Sequence, residues 1–234
     1  MAGEGSRFIN EGYTTPKPLI LFKDKTLFER AIGSISNVNA PLKYSFIVRQ
    51  EHIERFQIDT KIKQIIPQAN IFSVLKTTRG AVETCMLAQP AINSDDAILI
   101  MDCDIEFQSS TFNSEISKIL SLPLEKVDGG ILISFDSDKP CYSYAEVDEN
   151  NVVLRTAEKE VISEHALCGA YFFSKAENFL SAANNLLKQT HFKKKEYYVS
   201  LLYNELIANN EVVKLAKMET YFSYGTPDEL KYHL

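Results

Sequence analysis

The opening of the chain arranges small residues, a hydroxyl group and a cation in a spacing that suits a chain of phosphates. Gly3 and Gly5 carry no side chain, so a ligand can approach the backbone closely there. Ser6 offers a hydroxyl group and an amide to an anion, and Arg7 adds a planar fork of donors that matches phosphate oxygens. These residue types, in this order, predict a loop that binds a polyphosphate.

A second cation follows the loop on a stiff piece of backbone. Lys17 lies between Pro16 and Pro18, whose rings fix the backbone angle φ on both sides of the lysine. The pattern is not a P-loop, because no Gly-Lys-Ser or Gly-Lys-Thr follows at the required distance. It is not a dinucleotide fingerprint either, because Phe8 occupies the place of the third glycine. The loop and Lys17 together predict a cradle for a polyphosphate.

Two aspartates follow a continuous apolar run in the middle of the chain. Residues 97–101 read Ala-Ile-Leu-Ile-Met, which predicts a strand buried on both faces. Asp102 and Asp104 are two positions apart at its end, so the pleat directs both side chains to one face. Carboxylates this close repel each other unless a cation or hydrogen-bond donors intervene, and Mg²⁺ is the natural cation beside phosphates. The pair predicts a magnesium site, with two turn caps after a strand as the alternative interpretation.

Length and composition predict one soluble globular domain. The 234 residues suffice for one α/β domain, and no obvious linker divides them. Apolar residues make up 45% and charged residues 24%, and no apolar run approaches the ~18 residues of a membrane span. No signal-peptide pattern opens the chain, so the cytoplasm is the expected compartment.

Charge and cysteine usage argue against several classes of function. The net charge is −6, and the only basic cluster, Lys193-Lys194-Lys195, is too short for a nucleic-acid surface. The four cysteines are widely spaced and form no Cys-x-x-Cys pair, which argues against a zinc site or a disulfide scaffold. The four histidines have no carboxylate or thiol partner at a ligand spacing, so none is assigned to catalysis. A small anionic substrate remains compatible with this composition.

Hydrophobic periodicity predicts the elements that must position these residues. Predicted strands span 44–48, 71–75, 97–101, 130–135, 142–147, 152–156, 167–173 and 221–224. Predicted helices span 27–35, 51–56, 80–91, 179–187 and 197–207. The order favours an α/β fold, a single Rossmann-like domain with an open, mixed, mostly parallel sheet flanked by helices. Ligands of such folds bind outside the carboxyl ends of the strands.

The ordered set Gly-x-Gly-Ser-Arg, Pro-Lys-Pro and an apolar run resembles the signature of the sugar-phosphate nucleotidyltransferases, also called nucleotide-sugar pyrophosphorylases. The resemblance extends from Gly3 to Asp228. It implies a nucleotide-diphospho-sugar transferase fold over residues 1–234, with Mg²⁺ as cofactor. It also implies transfer of a nucleoside monophosphate from a nucleoside triphosphate to a phosphorylated acceptor, a sugar 1-phosphate first of all. The products would be pyrophosphate and a nucleoside-diphosphate sugar, and many relatives use such sugars for surface polysaccharides.

The resemblance implies a role for each matching residue. The residues that match the family's loop and its base-binding glycine are expected to bind the nucleotide: Ala2, Gly3, Gly5, Ser6, Arg7 and Gly80. Catalysis is expected from Arg7, Lys17 and Asp104. The acceptor is expected to contact Lys17, the adjacent pair Glu158 and Lys159, and Gly169, where the family's glycine leaves room for the sugar. The metal is expected on Asp104, with Asp102 as the second choice.

The sequence departs from the family pattern at three places. The family has a second metal-binding aspartate just before its C-terminal Gly-Thr, where this chain has Ser223. Either Asp102 supplies that charge, or one metal suffices, or the alignment slips. Asp228 lies just past that turn and is expected to cap the last helix. The segment 78–81, Thr-Arg-Gly-Ala, differs from the commoner Gly-Thr-Ala, so the base stays open. The family's loop follows an inner strand, so a first strand is expected upstream of residue 1.

Other functions compete with this interpretation. A cytidylyltransferase that acts on a non-sugar phosphate such as phosphocholine would share the whole fold. A nucleotide-sugar glycosyltransferase would use Asp-x-Asp and a metal, but it would need neither Arg7 nor Lys17. A regulatory domain that binds a nucleotide without turning it over is the non-enzymatic alternative. The expected partners are a nucleoside triphosphate and a phosphorylated small molecule, without nucleic acid or a membrane span, and a homo-oligomer stays open.

Overall fold

A computed structural model describes residues 1–189 and 194–233 of the chain. Lys193, the first residue of the basic cluster, therefore lies outside the described residues. The helices are α1 (Ser6–Asn10), α2 (Leu27–Gly33), α3 (Gln50–Phe56), α4 (Ile58–Ile65), α5 (Ala81–Met86), α6 (Ser110–Ser121), α7 (Ala176–Leu187), α8 (Leu202–Ala208) and α9 (Pro227–Tyr232). The strands are β1 (Leu21–Phe22), β2 (Lys25–Thr26), β3 (Ser45–Arg49), β4 (Asn70–Val74), β5 (Ile98–Met101), β6 (Ile105–Gln108), β7 (Gly130–Asp136), β8 (Ser143–Val147), β9 (Val153–Glu158), β10 (His165–Phe173), β11 (Val213–Lys217) and β12 (Thr220–Ser223).

The centre of the fold is a mixed sheet arranged around β10. This strand pairs antiparallel with β7 on one side and with β5 and β8 on the other. β11 adds parallel to β7, and β9 adds antiparallel to β8. β5, β7 and β11 therefore run in one direction, and β10 runs against them. The prediction of an α/β fold with a mixed, mostly parallel sheet flanked by helices is confirmed.

The helices cover both faces of this sheet because successive strand residues point to opposite sides. Tyr171 and Phe173 of β10 pack into one apolar cluster with residues of α7 and α8. Ala170 and Phe172 pack into a second cluster with residues of α6. The strand that positions the candidate site is thus fixed from both sides.

One strand departs from its predicted environment. Each residue of β5 keeps part of its surface accessible, although the sequence predicts burial on both faces. The side chains of β5 alternate between the two clusters, and β10 is the one strand that pairs with β5 among the described residues. β3 and β4 also pair only with each other in the described part of the chain. The expected first strand upstream of residue 1 stays a prediction.

The opening helix is attached to the C-terminal end of the chain. Phe8 of α1 is 1% exposed and packs in a small cluster with Phe22, Leu27, Tyr224 and Leu230. β12, which immediately precedes Tyr224, pairs antiparallel with β6, which follows Asp104. These contacts bring the first and last parts of the sequence to the carboxyl end of β5.

Some predicted elements differ from those observed. The predicted helix 80–91 is a short α5 followed by a 3-10 turn at Gln89–Ala91, and the helix predicted from residue 197 starts with a 3-10 turn at Val199–Leu201. The sequence analysis missed α1, α4, α6, β1, β2, β6 and β11. No helix among residues 1–189 and 194–233 combines the length and apolar character needed to cross a lipid bilayer.

The expectation that Asp228 caps the last helix is wrong. Thr226 is the cap, because its hydroxyl oxygen accepts a hydrogen bond from the Glu229 amide at 3.2 Å. The Glu229 carboxylate accepts one in return from the Thr226 amide at 3.0 Å. This reciprocal capping box satisfies two amides at the start of α9 and leaves Asp228 exposed in the first turn.

Candidate active site

A lysine of the opening segment contacts an aspartate that follows strand β5. Lys17 Nζ donates to Asp104 Oδ2, on a residue 87 positions later, and also to the Gly225 carbonyl oxygen at 3.2 Å. The Tyr224 amide donates to the Asp104 carbonyl oxygen at 2.8 Å. The Lys17 and Asp104 side chains keep 19% and 21% of their surface accessible. Three distant parts of the chain therefore converge at a point that a ligand can reach.

The opening loop lies beside Lys17. Gly5 has a φ of 67°, a left-handed conformation that favours glycine. Its Cα atom lies beside the Lys17 side chain. Gly3, Ser6 and Arg7 are exposed. Arg7 makes no hydrogen bond or ion pair within residues 1–189 and 194–233. Its guanidinium group is thus available to an anion outside the protein.

Arg49, at the end of β3, attaches the opening loop to the two parallel strands. Its Nη1 donates to the Ala2 carbonyl oxygen at 3.4 Å and to Thr77 Oγ1 at 3.2 Å. The Thr77 hydroxyl in turn donates to Glu4 Oε1 at 2.6 Å. Sequence reasoning missed this network, although a cation at the end of a predicted strand was an available signal. Ala2, expected to bind the nucleotide, is 8% exposed and fixes the loop through its carbonyl group.

Asp102 lies against the glycine expected at the acceptor site. The Asp102 amide donates to the Gly169 carbonyl oxygen at 2.9 Å. Gly169 has a φ of 91°, and a Cβ atom added there would lie 2.5 Å from Asp102 Oδ2. The space left by the missing side chain is therefore filled by the Asp102 carboxylate. Surrounding protein atoms, and then the negative charge of Asp104, raise the pKa of Asp102 above its usual range, although the side chain remains accessible from the cleft.

The donor set at this point fits a divalent cation that prefers oxygen ligands. Asp102 and Asp104 supply two carboxylates, and like charges so close together are a reason for a cation to bind. Ser223 lies near Asp104 and carries no charge, but its hydroxyl donates to Glu229 Oε2 at 3.0 Å. Glu229 thus brings a carboxylate to the place where the resemblance leads one to expect an aspartate.

The Glu-Lys pair separates into one buried and one exposed side chain. Glu158 is 4% exposed, and its Oε2 accepts hydrogen bonds from the hydroxyl groups of Ser143 and Ser200, the latter at 3.0 Å. Lys159 has a φ of 56° and points away, with Nζ donating to the Tyr198 hydroxyl at 2.8 Å. That hydrogen bond raises the pKa of Lys159. Sequence reasoning did not identify the two serines, which lie 15 and 42 positions from Glu158.

Gly80 is required by a backbone contact. It has a φ of 145°, and a Cβ atom added there would lie 2.4 Å from the Tyr197 backbone nitrogen. Arg79 stacks over the Tyr197 ring at 5.0 Å and pairs with Glu83 at 2.9 Å. The segment expected to bind the base is therefore fixed to the stretch that precedes α8.

One further cluster of metal-ligating side chains lies elsewhere in the described residues. Asp136, Glu164 and His165 each offer a ligand atom, and these atoms lie within 4.8 Å of one another. They stand where the end of β7 meets the start of β10, and both carboxylates are exposed. None of them matches a residue predicted from the sequence, and Lys217 already pairs with Asp136 at 3.2 Å.

The structure thus brings some predicted residues into contact and leaves others apart. Lys17 contacts Asp104 and lies against Gly5, while Asp102 contacts Gly169. The negative charge of Glu158 also contributes to the raised pKa of Asp102, so the two carboxyl groups are close enough to interact electrostatically. Arg7, Ser6 and Gly80 make no direct contact with the Lys17–Asp104 pair among the contacts of residues 1–189 and 194–233.

Comparison with known proteins gives a family match over most of the chain. The model of the family described as "Nucleotidyl transferase" matches residues 1–216. Comparison with curated protein sequences gave no match.

Many solved structures resemble this fold. A nucleoside-diphosphate-sugar pyrophosphorylase from Vibrio cholerae is 27% identical, with a TM-score of 0.83, over 99% of this chain and 96% of that chain. A candidate glucose-1-phosphate thymidylyltransferase from Bacillus anthracis is 15% identical, with a TM-score of 0.76, over 99% of this chain and 90% of that chain. An inositol-1-phosphate CTP transferase from T. maritima is 15% identical, with a TM-score of 0.73, over 97% of this chain and 88% of that chain.

Proposed function

The chain belongs to the nucleotidyl transferase family and is a nucleotidyltransferase, and from this premise we propose that it transfers a nucleoside monophosphate to a sugar 1-phosphate. The donor is a nucleoside triphosphate, and the products are pyrophosphate and a nucleoside-diphosphate sugar. The observation that carries this proposal is the contact between Lys17 and Asp104, which joins the phosphate-loop segment to the carboxyl end of β5. We also propose the cytoplasm as the compartment and surface polysaccharides as the use of the product.

The reaction needs alignment and charge neutralisation more than a nucleophilic side chain. An oxygen of the acceptor phosphate, already an anion near neutral pH, forms a bond to the α-phosphorus. The bond from the α-phosphorus to the bridging oxygen breaks, and its electron pair leaves with pyrophosphate. No serine, cysteine or histidine nucleophile is required. The lack of an assigned catalytic histidine is consistent with this chemistry.

Each proposed residue has one task in this scheme. The amides of Gly3, Gly5 and Ser6 and the free guanidinium group of Arg7 bind the triphosphate. Lys17 bridges the α-phosphate and the acceptor phosphate, for which it must turn from Asp104 toward the substrates.

The metal and the acceptor involve the other end of the cleft. Members of this family generally use a divalent metal, and we propose that Asp104 and Asp102 hold Mg²⁺, which would supply positive charge beside the α-phosphate. Glu158 accepts hydrogen bonds from acceptor hydroxyl groups, since its Oε1 has no donor in the described residues. Lys159 binds the acceptor phosphate, for which it must turn from the Tyr198 hydroxyl, and Gly80 lies next to the base.

The test is pyrophosphate release. The full chain is incubated with Mg²⁺, each of the common nucleoside triphosphates and a panel of sugar 1-phosphates, and pyrophosphate and product are measured. We expect release that depends on both substrates and on the metal, and that disappears in Asp104→Asn. Absence of pyrophosphate with every pair, or release of a free nucleoside diphosphate from a nucleotide sugar, would overturn the proposal.

A second candidate is cytidylyl transfer to a non-sugar phosphate. The fold similarity to the CTP transferase from T. maritima supports it, since that protein is named for an inositol phosphate acceptor. CTP with inositol 1-phosphate and CTP with phosphocholine therefore form two additional arms of the same assay. Turnover in these arms, without turnover on sugar 1-phosphates, would favour this candidate.

A further inference from the structure

A small space beside Gly225 is bordered by three oxygen atoms from separate parts of the fold. A Cβ atom added at Gly225 would lie 3.0 Å from Glu229 Oε2, 3.5 Å from Ser223 Oγ and 3.7 Å from Asp104 Oδ2. Glu229 belongs to α9, Ser223 ends β12, and Asp104 lies between β5 and β6. Because glycine has no side chain, the Glu229 carboxylate can lie close to Asp104.

The Glu229 carboxylate has no cationic partner in the described part of the chain. Its Oε2 accepts hydrogen bonds from the Ser223 hydroxyl and from the Thr226 amide, both at 3.0 Å, and both donors are neutral. Its Oε1 accepts no hydrogen bond within residues 1–189 and 194–233. The two hydrogen bonds therefore hold one oxygen in place and leave the negative charge unpaired, as in carboxylates that bind a metal.

The carboxylates near Glu229 have little positive charge to balance them. Lys17 Nζ donates to Asp104 Oδ2 and to the Gly225 carbonyl oxygen, and within the described residues it is the one cation paired with Asp104. Asp102 makes no ion pair there either. Three carboxylates thus share one lysine. A divalent cation that prefers oxygen ligands would balance the remaining charge.

We infer that Glu229 is a ligand of the divalent metal, beside Asp104, and that it supplies the charge that Ser223 lacks. The inference rests on the proposed function, since the proposed transfer uses that metal. It accounts for the departure of the sequence at Ser223, because the carboxylate comes from six positions later and the Ser223 hydroxyl orients it. The movement of Lys17 toward the substrates, which the proposed function already requires, leaves Asp104 free for the metal.

Binding of Mn²⁺ by the full chain without nucleotide tests the inference apart from turnover. Mn²⁺ prefers the same oxygen ligands as Mg²⁺, and electron paramagnetic resonance measures the free ion. We expect Glu229→Gln to weaken binding about tenfold, as loss of one charged ligand predicts. Glutamine still accepts hydrogen bonds, so the capping box is preserved. Asp228→Asn removes an exposed charge from the same turn of α9 and is the control, which should bind as the wild type does.

A second substitution separates the lost charge from any change in the turn. Ser223→Asp, made in the Glu229→Gln variant, puts a carboxylate beside the same space. We expect it to restore Mn²⁺ affinity to within about threefold of the wild type. Wild-type affinity in Glu229→Gln, no recovery in the double variant, or no Mn²⁺ binding by the wild type would each overturn the inference.

Pyrophosphate release separates this inference from the proposed function. Metal-dependent release, together with equal Mn²⁺ affinity in the wild type and Glu229→Gln, overturns the inference and leaves the proposed function intact. Mn²⁺ binding that depends on Glu229, in a protein that releases no pyrophosphate, overturns the proposed function and retains the metal ligand. If Glu229→Gln does not fold, Ser223→Ala removes the orienting hydroxyl and should weaken Mn²⁺ binding about threefold. Unchanged affinity in that variant would then overturn the inference.

Discussion

The two ends of the candidate site are stabilised in different ways. At the nucleotide end, formed by the opening loop with Lys17, Asp102 and Asp104, charged groups face an accessible cleft and pair across long stretches of sequence. At the acceptor end, formed by Glu158 with the strands β8, β9 and β10, the carboxylate is enclosed and bonded to Ser143 and Ser200. Under the proposed function the first end would have to rearrange when phosphates bind, whereas the second already has its hydrogen bonds in place.

The ligands proposed for the two ends would account for this difference. Phosphates carry high charge, and the cations and carboxylates at the proposed nucleotide end could exchange partners when such a ligand binds. Hydroxyl groups of a sugar carry no charge, and they are recognised by hydrogen bonds whose directions must be fixed beforehand. Four substitutions test this comparison, in order of decreasing expected effect.

Lys17→Ala should have the largest effect and should act on the rate. Loss of the cation at the α-phosphate costs about 3 kcal/mol of transition-state stabilisation, a decrease in kcat of about a hundredfold or more. Thermal unfolding should change little, since the Lys17–Asp104 pair is partly accessible. Lys25→Ala, at an exposed lysine in β2, is the control. Wild-type turnover in Lys17→Ala would refute the role assigned to the lysine.

Gly169→Ala should destabilise the contact between the two ends. The substitution puts a Cβ atom 2.5 Å from Asp102 Oδ2 at a φ of 91°, so either the strand or the carboxylate must move. We expect a loss of about 2 kcal/mol in the free energy of unfolding and a decrease in Tm of about 4–8 °C. Gly33→Ala is a matched control, because nothing lies within 4 Å of its added Cβ atom. An equal Tm for both variants would contradict the packing described for Gly169.

Glu158→Gln should affect the acceptor alone. The amide keeps the size of the side chain but changes one accepting oxygen into a donor, so the KM for the acceptor should rise about tenfold while the KM for the triphosphate stays constant. Glu160→Gln removes a neighbouring exposed charge and should behave as the wild type does. If the KM for the triphosphate rises instead, Glu158 does not belong to the acceptor end.

Asp102→Asn should have the smallest effect, a change in the stability of the folded chain that depends on pH. The raised pKa of Asp102 means that ionisation of this carboxyl group disfavours the folded chain once the pH exceeds its unfolded pKa. Without metal, the variant should therefore gain stability over the wild type as the pH rises from 4 to 8. The gain should be about 2 °C in Tm or less, because the side chain is open to the cleft and solvent screens the repulsion. A constant difference in Tm over this range would refute the repulsion.

Titration of Mg²⁺ complements that measurement. If Asp102 is a metal ligand, Asp102→Asn should bind Mg²⁺ more weakly although it is the more stable apo protein. A variant that gains stability at high pH and retains full metal affinity would limit Asp102 to a structural role beside Gly169.

Local patterns account for most of the elements that the sequence predicts. The apolar run 97–101 gives β5, and the residues from 130 to 173 give four strands close to the predicted bounds. Helix α6 was missed, although its sequence carries the signals of a helix. Ser109 accepts from the Phe112 amide at 3.1 Å as the cap of α6, and Phe112, Ile116 and Ile119 form its buried stripe. A helix with a regular stripe is therefore recognisable from sequence alone.

The sequence by itself determined the kinds of chemistry available to this protein. Local residue types and spacing predict phosphate and metal binding, through the glycines and Arg7 of the opening loop, Lys17 between two prolines, and the aspartates after an apolar strand. Only the tertiary structure decided which of them meet. Lys17 contacts Asp104, Gly169 leaves space for Asp102, and two distant serines donate to Glu158. These contacts form because strand pairing and the packing of α1 against α9 join segments that no local pattern connects.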